Sequence, residues 1–495
     1  MDVKLSFKER FSYSLGSLAS NLVWTALGAF MVIFYTDVAL IPAATVGILL
    51  LVSRVFDGFS DIGMGLIVDR GKSPNGKARP WLLRMAVPFG VAAFLCFNAV
   101  PSWPLGVRIV YAFLTYNIMT TVVYTSVDMP YGVLNAALSQ NQYQRSVLNI
   151  FRLFMAIVAG VIVNMAVPQM TQMFGGGAQG WRMTFIIIGA LAAVMFLITY
   201  FNTKERVTAS ANVADSVPAK TGFKALLKNK YWVMIVIYAV LSYTSSGLGG
   251  MTAYFCREIL GDFGLVGMIT IVGVLPMLAG TFVLAPIVKK FGKRNAALLG
   301  IICGIAGNLV LAIAGTELMI VYISVIIKAF GSACIIGTLF AMIADTIEYG
   351  EWKSGVRTEG LVYSASSFGG KLGNGLGAAI VSISLSIGGY VARTGEGLGP
   401  TGQTGATLDA IRFVYIWIPI VLLLGMGAIL LFFKLDKEYP AILAELKARK
   451  GDADDADGEG GADDSAETGD NGADDSAGTG DNGAASALPD EEEQV

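Results

Sequence analysis

The sequence contains no histidine, and its four cysteines show no metal-binding spacing. Histidine is the commonest general base, metal ligand and proton switch at neutral pH, so its absence disfavours enzyme chemistry and a histidine-based proton relay. Cys96, Cys256, Cys303 and Cys334 all fall in apolar segments. Neither a disulfide framework nor a zinc site is therefore indicated.

Charged residues are also scarce, at 15% of the 495 residues, whereas 54% are hydrophobic. This composition is typical of a membrane protein that crosses the bilayer several times. The net charge of −2 hides two opposed regions. From residue 451 onward there are 16 acidic residues and no Lys or Arg, which leaves 35 basic and 21 acidic residues before it, a net charge of +14.

Twelve apolar runs are near or above the length of about 20 residues that a membrane span requires. They lie at 11–36, 41–68, 81–100, 106–135, 147–168, 182–202, 229–256, 264–288, 295–314, 317–346, 358–388 and 409–434. Alternate connecting segments hold most of the Lys and Arg, whereas the others hold no Lys and only scattered arginines such as Arg108 and Arg257. The positive-inside rule therefore predicts that both termini are cytoplasmic.

The longest basic connection divides the runs six and six, which predicts an all-α polytopic membrane protein with two six-helix bundles. We expect a cytoplasmic N-terminus at 1–10, bundles at 11–202 and 229–434, a cytoplasmic linker at 203–228, a basic amphipathic segment at 435–450 and a disordered acidic tail at 451–495. A solute site near the membrane midplane, between parallel halves, fits this organisation.

The second apolar run carries charges at membrane depth. Arg54, Asp57 and Asp61 lie inside it, and the two carboxylates are four residues apart, on one helix face. Two close carboxylates repel in a low dielectric, and a bound Na⁺ or a proton relieves that repulsion, with Ser60 adding a hydroxyl ligand. The alternative is that both are ordinary surface aspartates at a helix end.

Polar side chains also share faces on three later runs. Tyr124 and Asp128 are four apart, and Thr125 lies between them, where it can link a cation to the Asp128 carboxylate. Arg152 lies on the fifth run, and Lys371 follows Ser367 by four residues on the eleventh. These bases can pair with Asp57, Asp61 and Asp128 across a cavity, which leaves one negative charge for an ion. Tyr124 can instead be a core aromatic, and the two bases can instead reach the interface.

Several motifs in fixed order resemble one transporter family. They are Arg54-Val-Phe-Asp57 through Asp61, Asp69-Arg70, Gly76-Lys77-Ala-Arg79-Pro80-Trp81, Tyr124-Thr125-Ser-Val-Asp128-Met-Pro130, Ala344-Asp345-Thr-Ile-Glu348-Tyr349-Gly350-Glu351 and Gly355-Val-Arg357-Thr-Glu359-Gly360. Over residues 6–439 the chain is similar to the glycoside-pentoside-hexuronide:cation symporters. The resemblance implies a major facilitator fold with twelve transmembrane helices, and sugar uptake driven by Na⁺, Li⁺ or H⁺.

The resemblance also implies site residues. The cation site implied is Asp57, Ser60, Asp61 and Thr125, and the substrate face implied is Asn21, Tyr124, Asp128, Arg152, Ser367 and Lys371. A familiar family member has an asparagine at the position of Ser60, which leaves the choice of ion open, and an aspartate at that of Asn21. It also has a glutamine where this chain has Ser366, and tryptophans where it has Gly132 and Ile336, so a different pocket shape is expected.

Charges on the basic connections suggest a gate. We expect Arg54, Asp69, Arg70, Arg145, Glu348, Glu351, Arg357 and Glu359 to form a charge network that locks the halves together on the cytoplasmic side, although each can instead be a solvated loop charge. Lys328, in the tenth run, lies outside the family pattern. It either pairs with a nearby acid or attracts an anionic group of the solute.

These observations predict a secondary active symporter in the cell membrane, which imports a sugar, a glycoside or a related small polar solute with a monovalent cation. We expect membrane lipid around it, a functional monomer, no nucleic-acid partner and no cofactor or metal other than the coupling Na⁺ or H⁺. One alternative keeps the fold and carries a non-sugar amphipathic or anionic solute. A second alternative is a sensor or scaffold that signals through its acidic tail.

Overall fold

The computed structural model describes residues 5–70, 76–98, 100–139, 141–206, 226–354, 359–392 and 402–459, and these residues form helices and connections without a strand. The α-helices are α1 (Phe7–Ile33), α2 (Ala43–Arg70), α3 (Arg79–Cys96), α4 (Leu105–Asn117), α5 (Thr125–Leu138), α6 (Gln142–Met173), α7 (Gly177–Asn202), α8 (Lys230–Gly247), α9 (Met251–Tyr254), α10 (Leu265–Phe291), α11 (Lys293–Ala314), α12 (Leu318–Ser354), α13 (Glu359–Ile387), α14 (Gly405–Phe432) and α15 (Leu435–Glu459). Three π-helical segments, Phe34–Val38, Ile118–Tyr124 and Phe255–Ile259, and a short 3₁₀ turn, Leu248–Gly250, continue these helices.

Each of the twelve apolar runs contains helical structure within the described residues. Ten helical stretches within the described residues are long and apolar enough to cross a membrane. Helices α2 and α13 carry the charged site residues. They have 28 and 29 residues, so they also exceed the length of about 20 residues that a membrane span requires. Boundaries differ from the predicted ones by a few residues: α6 begins at Gln142 rather than 147, and α12 continues to Ser354 rather than 346.

Glycines end two of the helices where an apolar run gives no sharp boundary. Between α6 and α7, Gly175, Gly176 and Gly177 all adopt positive φ, a backbone conformation that costs other residues energy. Gly389, just beyond α13, also has a positive φ of 70°. These turns lie where the sequence predicts the gap before the sixth run and the end of the eleventh.

Residues up to Leu443 form one compact unit that holds α1 to α14. The second unit begins at Ala444. Helix α15, Leu435–Glu459, continues nine residues past residue 450, where the predicted amphipathic segment ends. Residues 460–495, where most of the predicted disordered tail falls, lie outside the described residues.

The helices before and after the 203–229 connection meet along two lines. Helix α2 packs along α13, and α6 packs against α10. Glycines allow these close approaches: a Cβ on Gly375 of α13 would lie 2.7 Å from Arg54 Cγ of α2, and one on Gly267 of α10 would lie 2.8 Å from Met165 Cα of α6. Small residues at these positions therefore let helices of the two halves come together.

An internal repeat is visible at the ends of the first and seventh spans. Each ends in a five-residue π segment with the same backbone pattern: Ala39 N donates to Phe34 O, and Leu260 N donates to Phe255 O. Asp37 and Glu258 occupy the same place, three residues after the phenylalanine, in the two segments. The repeat supports a chain built from two parallel halves.

Candidate functional site

Asp57 is the most completely bonded of the predicted cation ligands. Its side chain is buried, and its Oδ1 accepts hydrogen bonds from Thr120 Oγ1 at 2.9 Å and from Thr121 Oγ1 at 2.6 Å. Its Oδ2 lies 3.1 Å from Arg54 Nη1. Both threonines come from the π segment Ile118–Tyr124, a type of distortion that often occurs at functional sites. In this conformation Asp57 is neutralised by Arg54 and held by two hydroxyls.

Asp61 forms an ion pair with Lys371, and this pair joins α2 to α13 across the two halves. Thr125 Oγ1 donates a hydrogen bond to Asp61 Oδ1 at 3.2 Å, and Ser60 Oγ lies 3.4 Å from Thr125 Oγ1. The structure therefore brings three of the four predicted cation ligands together at Asp61. Ser60 Oγ also donates to the Asp57 carbonyl oxygen at 3.0 Å, which connects the two carboxylate residues through the helix backbone.

Asp128 pairs with Arg152, the third acid–base pair of the site. Arg152 Nη2 lies 3.8 Å from Asp128 Oδ1, and both side chains remain about a third exposed, at 35% and 36%. The Arg152 guanidinium also lies over the Tyr131 ring, 5.1 Å from its centroid. Asn21, by contrast, turns back onto its own helix, where its Nδ2 donates to Ser17 O at 2.8 Å. Its side-chain nitrogen therefore stabilises α1 in this conformation.

The three acids of the site are balanced by three bases, whereas the sequence-based count gave only two bases. The count of three acids and two bases omitted Arg54, which supplies the third base. Each of Asp57, Asp61 and Asp128 therefore has a basic partner, and the prediction of one unpaired negative charge is wrong for this conformation. A cation that binds one of these carboxylates therefore competes with its basic partner for the negative charge.

Trp24 is a site residue that the sequence reasoning missed. Its ring lies 4.8 Å from the Tyr124 ring, centroid to centroid, and the Arg54 guanidinium lies 4.9 Å from the Trp24 centroid. Flat aromatic surface is therefore present even though Gly132 and Ile336 supply none. A signal was available, since Trp24 lies inside the first apolar run three residues after Asn21. Ser367, one turn before Lys371, is exposed.

A cavity of about 340 Å³ lies between the two halves. Trp24, Arg54 and Tyr116 line it from the first half, and Ser246 and Asn374 line it from the second. Asp128, Arg152 and Lys371 do not contribute to this lining. The cavity therefore adjoins the Arg54 side of the charged cluster. The more exposed Asp128–Arg152 pair lies outside its lining.

The predicted cytoplasmic network is only partly visible. The side chains of Asp69, Arg70 and Glu359, and the whole of Arg357, lie outside the described residues. Arg145 Nε donates to Ser139 O at 2.6 Å. Glu348 and Glu351 are half-buried on α12, and Oε2 of Glu348 has no hydrogen-bond partner within the described structure.

Two other ion pairs at the predicted cytoplasmic ends lie within one half each. Lys293 Nζ is 2.6 Å from Asp345 Oδ2, and Arg206 Nη1 is 2.6 Å from Glu9 Oε1. Neither pair joins the two halves. The cytoplasmic charge network stays a prediction, because four of its eight side chains lie outside the described residues.

A buried charge cluster joins the halves at the end opposite the predicted cytoplasmic side, where the two repeated π segments meet. Arg257 pairs with Asp37 and with Glu258, and its Nε lies 2.9 Å from Glu258 Oε1. Tyr390 Oη donates to both oxygens of Asp37 at 3.0 Å. We call this group of Asp37, Arg257, Glu258 and Tyr390 the latch. By sequence alone, Arg257 is one of the scattered arginines outside the basic connections.

Few residues have the chemistry to hold a cation. Within the described ranges no group of three or more acidic or cysteine side chains is placed to hold a metal ion. The strongest candidate for a monovalent ion is Asp61 with the hydroxyls of Ser60 and Thr125, because carboxylate and hydroxyl oxygens suit a hard cation. Thr120 and Thr121 offer similar oxygens at Asp57.

Comparison with known proteins places the chain among transporters. Residues 12–437 match the family described as MFS/sugar transport protein. The isoprimeverose transporter of Lactiplantibacillus pentosus is 38% identical over 455 residues, which cover 90% of this chain and 92% of that protein. The glucuronide carrier protein homolog of Escherichia coli K12 is 30% identical over 466 residues, which cover 91% of this chain and 97% of that protein.

Solved structures show the same fold at low identity. A bacterial homolog of the human lysosomal transporter Spinster, in an inward-facing and unoccupied conformation, superposes with a TM-score of 0.62 at 15% identity, over 88% of this chain and 97% of that one. The nucleoside transporter NupG gives a TM-score of 0.58 at 14% identity, over 86% and 100%. The chain therefore belongs to the MFS/sugar transport protein family, with the major facilitator fold that its resemblance to the glycoside-pentoside-hexuronide:cation symporters predicts.

Proposed function

We propose that the protein is a secondary active symporter that couples uptake of a sugar or glycoside to entry of Na⁺ or H⁺ by alternating access. The observation that carries this proposal is the Asp61–Lys371 pair, which places a candidate cation ligand in direct contact with a base from the opposite half. Relatives point to the same class, since a putative glycoside/cation symporter of Escherichia coli K12 is 30% identical over 458 residues.

Coupling follows from competition for one carboxylate. Na⁺ bound by Asp61, Ser60 and Thr125, or a proton on Asp61, removes the negative charge that attracts Lys371. The Lys371 ammonium is then released from α2, and the contact between the halves weakens. The ion thereby changes the relative free energy of the two conformations, as coupling requires.

The solute has two kinds of surface available nearby. Asp128 and Arg152 are each about a third exposed, so they can exchange their 3.8 Å contact for hydrogen bonds to sugar hydroxyls. Trp24 and Tyr124 offer aromatic faces for the apolar side of a sugar ring. Tyr124 and Thr125 are adjacent in sequence, so ion binding at Asp61 can reposition the residues that hold the solute.

Transport into proteoliposomes tests this proposal. Wild-type protein should take up at least one member of a panel of pentosides, hexosides and disaccharides, and uptake should depend on a Na⁺ or proton gradient. Asp61→Asn should abolish the ion dependence while solute exchange persists, and Asp128→Asn should abolish solute binding. Asp409→Asn is a matched control, because its pair with Arg412 is exposed, and it should behave as wild type. Full ion dependence in Asp61→Asn would refute the proposed coupling site.

Topology and assembly are part of the same proposal. The distribution of Lys and Arg supports a multi-pass protein of the cell membrane with both termini in the cytoplasm. We propose that it works as a monomer surrounded by lipid, because both halves of the site come from one chain. An impermeant thiol reagent should label Lys437→Cys only in inside-out vesicles. Labelling from the outside would contradict this topology.

A further inference from the structure

A second cavity, of about 480 Å³, lies within the second half of the protein. Helices α8, α10, α11, α12 and α14 line it, and its polar lining includes Ser242, Ser245, Asn308, Lys328 and Ser332. None of the predicted cation or substrate residues contributes to it. We call this cavity the Lys328 chamber, and its volume is in the range of small-molecule binding sites.

Lys328 brings a positive charge into this chamber without a matching negative one. The lining contains no Asp or Glu, and the Lys328 ammonium lies over the Tyr415 ring, 4.7 Å from its centroid. A cation–π contact of this kind contributes about 0.5–2 kcal/mol, less than the free energy needed to hold an ammonium at membrane depth. A negatively charged partner is therefore the group that this side chain lacks.

Packing holds the lysine in place. Gly307 of α11 faces its stem so closely that a Cβ there would lie 2.7 Å from Lys328 Cγ. Ser332 Oγ donates to the Lys328 carbonyl oxygen at 2.9 Å, one turn further along α12. The close approach of Gly307 restricts the Lys328 stem, and the Ser332 bond stabilises the backbone of α12 at this turn.

Asn308 offers a second unsatisfied group. Its side chain is 1% exposed, and its Nδ2 donates to Gly304 O at 2.8 Å. Its Oδ1 is buried and has no hydrogen-bond partner within the described structure. A buried acceptor without a donor is costly. Because this oxygen has almost no accessible surface, the half-buried Lys328, and not Asn308, is the group open to a ligand in the chamber.

The chamber adjoins the cavity between the halves. Ser246, Gly249, Thr252 and Ile269 line both spaces. The chamber therefore lies beside the space that a transported solute has to cross. This position favours a transported solute over a lipid headgroup as the occupant.

We propose that the Lys328 chamber is a subsite for an acidic substituent, a carboxylate or sulfonate, on a hydroxylated solute. Lys328 Nζ supplies the counter-charge, and the hydroxyls of Ser242 and Ser245 in the lining are available to solute hydroxyls. This assignment rests on the proposed transport function and adds a preference for acidic sugars to it.

Matched solute pairs test the subsite with the full-length protein in proteoliposomes. Methyl β-D-glucoside and methyl β-D-glucuronide differ only in their C6 group, and the corresponding galactosides give a second pair. In the wild type the acidic member of a pair should compete better for uptake than the neutral member. Lys328→Met should weaken competition by the acidic member about tenfold or more. Competition by the neutral member should stay within about twofold of the wild type, as expected for loss of a charge-assisted hydrogen bond.

Control variants separate this role from a structural one. Lys328→Arg should keep the preference for the acidic member. Lys290→Met is the matched control, because Lys290 is an exposed lysine that also lies over an aromatic ring, and it should match the wild type. Asn308→Asp places a carboxylate in the chamber that competes for Lys328, and it should selectively weaken the acidic member. This variant keeps the proposal testable if Lys328→Met does not fold.

Each other outcome has a distinct meaning. If both members of a pair are transported and Lys328→Met or Asn308→Asp weakens them equally or not at all, the subsite is refuted and the proposed symport stands. If the wild type prefers the neutral member, the subsite is refuted as well. If no sugar of either kind is transported, the proposed function fails, and the subsite fails with it.

Discussion

The latch gives the sharpest mechanical prediction, because two substitutions in it should act to different degrees. Asp37→Asn removes one acid but leaves Arg257 paired with Glu258 at 2.9 Å. Arg257→Met removes the only base of the latch and leaves Asp37 and Glu258, whose side chains are 6% and 0% exposed, as buried acids. Arg257→Met should therefore be the more damaging change.

The structure gives a magnitude for each substitution. For Arg257→Met, leaving the buried Asp37 carboxylate without its basic partner costs about 3–5 kcal/mol, which corresponds to a more than hundredfold change in an equilibrium constant. For Asp37→Asn we expect about 1–2 kcal/mol, because an amide still accepts a hydrogen bond from Tyr390. When the halves separate at this end, the charged groups become hydrated, so both costs fall mainly on the conformation in which this end is closed.

Thiol labelling measures this shift. Gly28 lines the cavity between the halves, and a Cβ there meets no atom within 4 Å, so Gly28→Cys is a suitable probe once the four native cysteines are replaced. An impermeant maleimide, applied from the side on which the latch lies, should label this cysteine faster in Asp37→Asn and faster still in Arg257→Met. Asp409→Asn should not change the rate, because exposed ion pairs contribute only about 0–1 kcal/mol. An unchanged rate in Arg257→Met, or a larger effect from Asp37→Asn, would refute the reasoning.

Three further predictions concern packing, a helix cap and the tail. Gly375→Ala should push Arg54 away from Asp57 and lower stability by about 1–3 kcal/mol in thermal unfolding, whereas Gly63→Ala, whose Cβ would meet no atom within 4 Å, should not. Glu205 accepts hydrogen bonds from three consecutive backbone N–H groups at the start of α3, so Glu205→Gln should lower the unfolding midpoint by an amount equivalent to about 1–3 kcal/mol. Deleting residues 460–495 should leave uptake unchanged in vesicles, and loss of uptake would favour the sensor alternative.

Helix positions could be predicted from the sequence because each membrane span has to satisfy its own backbone hydrogen bonds and requires a long apolar run. The charged stretch on the second span was identified for the same reason, since ionisable groups are costly at that depth. Pairing of the two bases with the site aspartates was expected from charge balance, and the structure specifies the pairs as Lys371 with Asp61 and Arg152 with Asp128.

Contacts between distant helices could not be predicted in this way. The donors to Asp57 are Thr120 and Thr121, which are ordinary residues by composition and reach the carboxylate through a π-helical distortion. Trp24 joins the site only because α1 faces Arg54. For the latch a signal existed, because Asp37 and the Arg257–Glu258 pair fall at equivalent ends of the two halves, but recognising it required aligning those ends.

The two repeated π segments each bring an acid, Asp37 or Glu258, to the same end of the protein. If both copies kept only the acid, closing this mouth would press two like charges together out of reach of water. A single arginine, present in one copy beside its acid, turns that repulsion into an attachment. In this chain a difference at one position of the repeat therefore lets two similar helix ends close against each other.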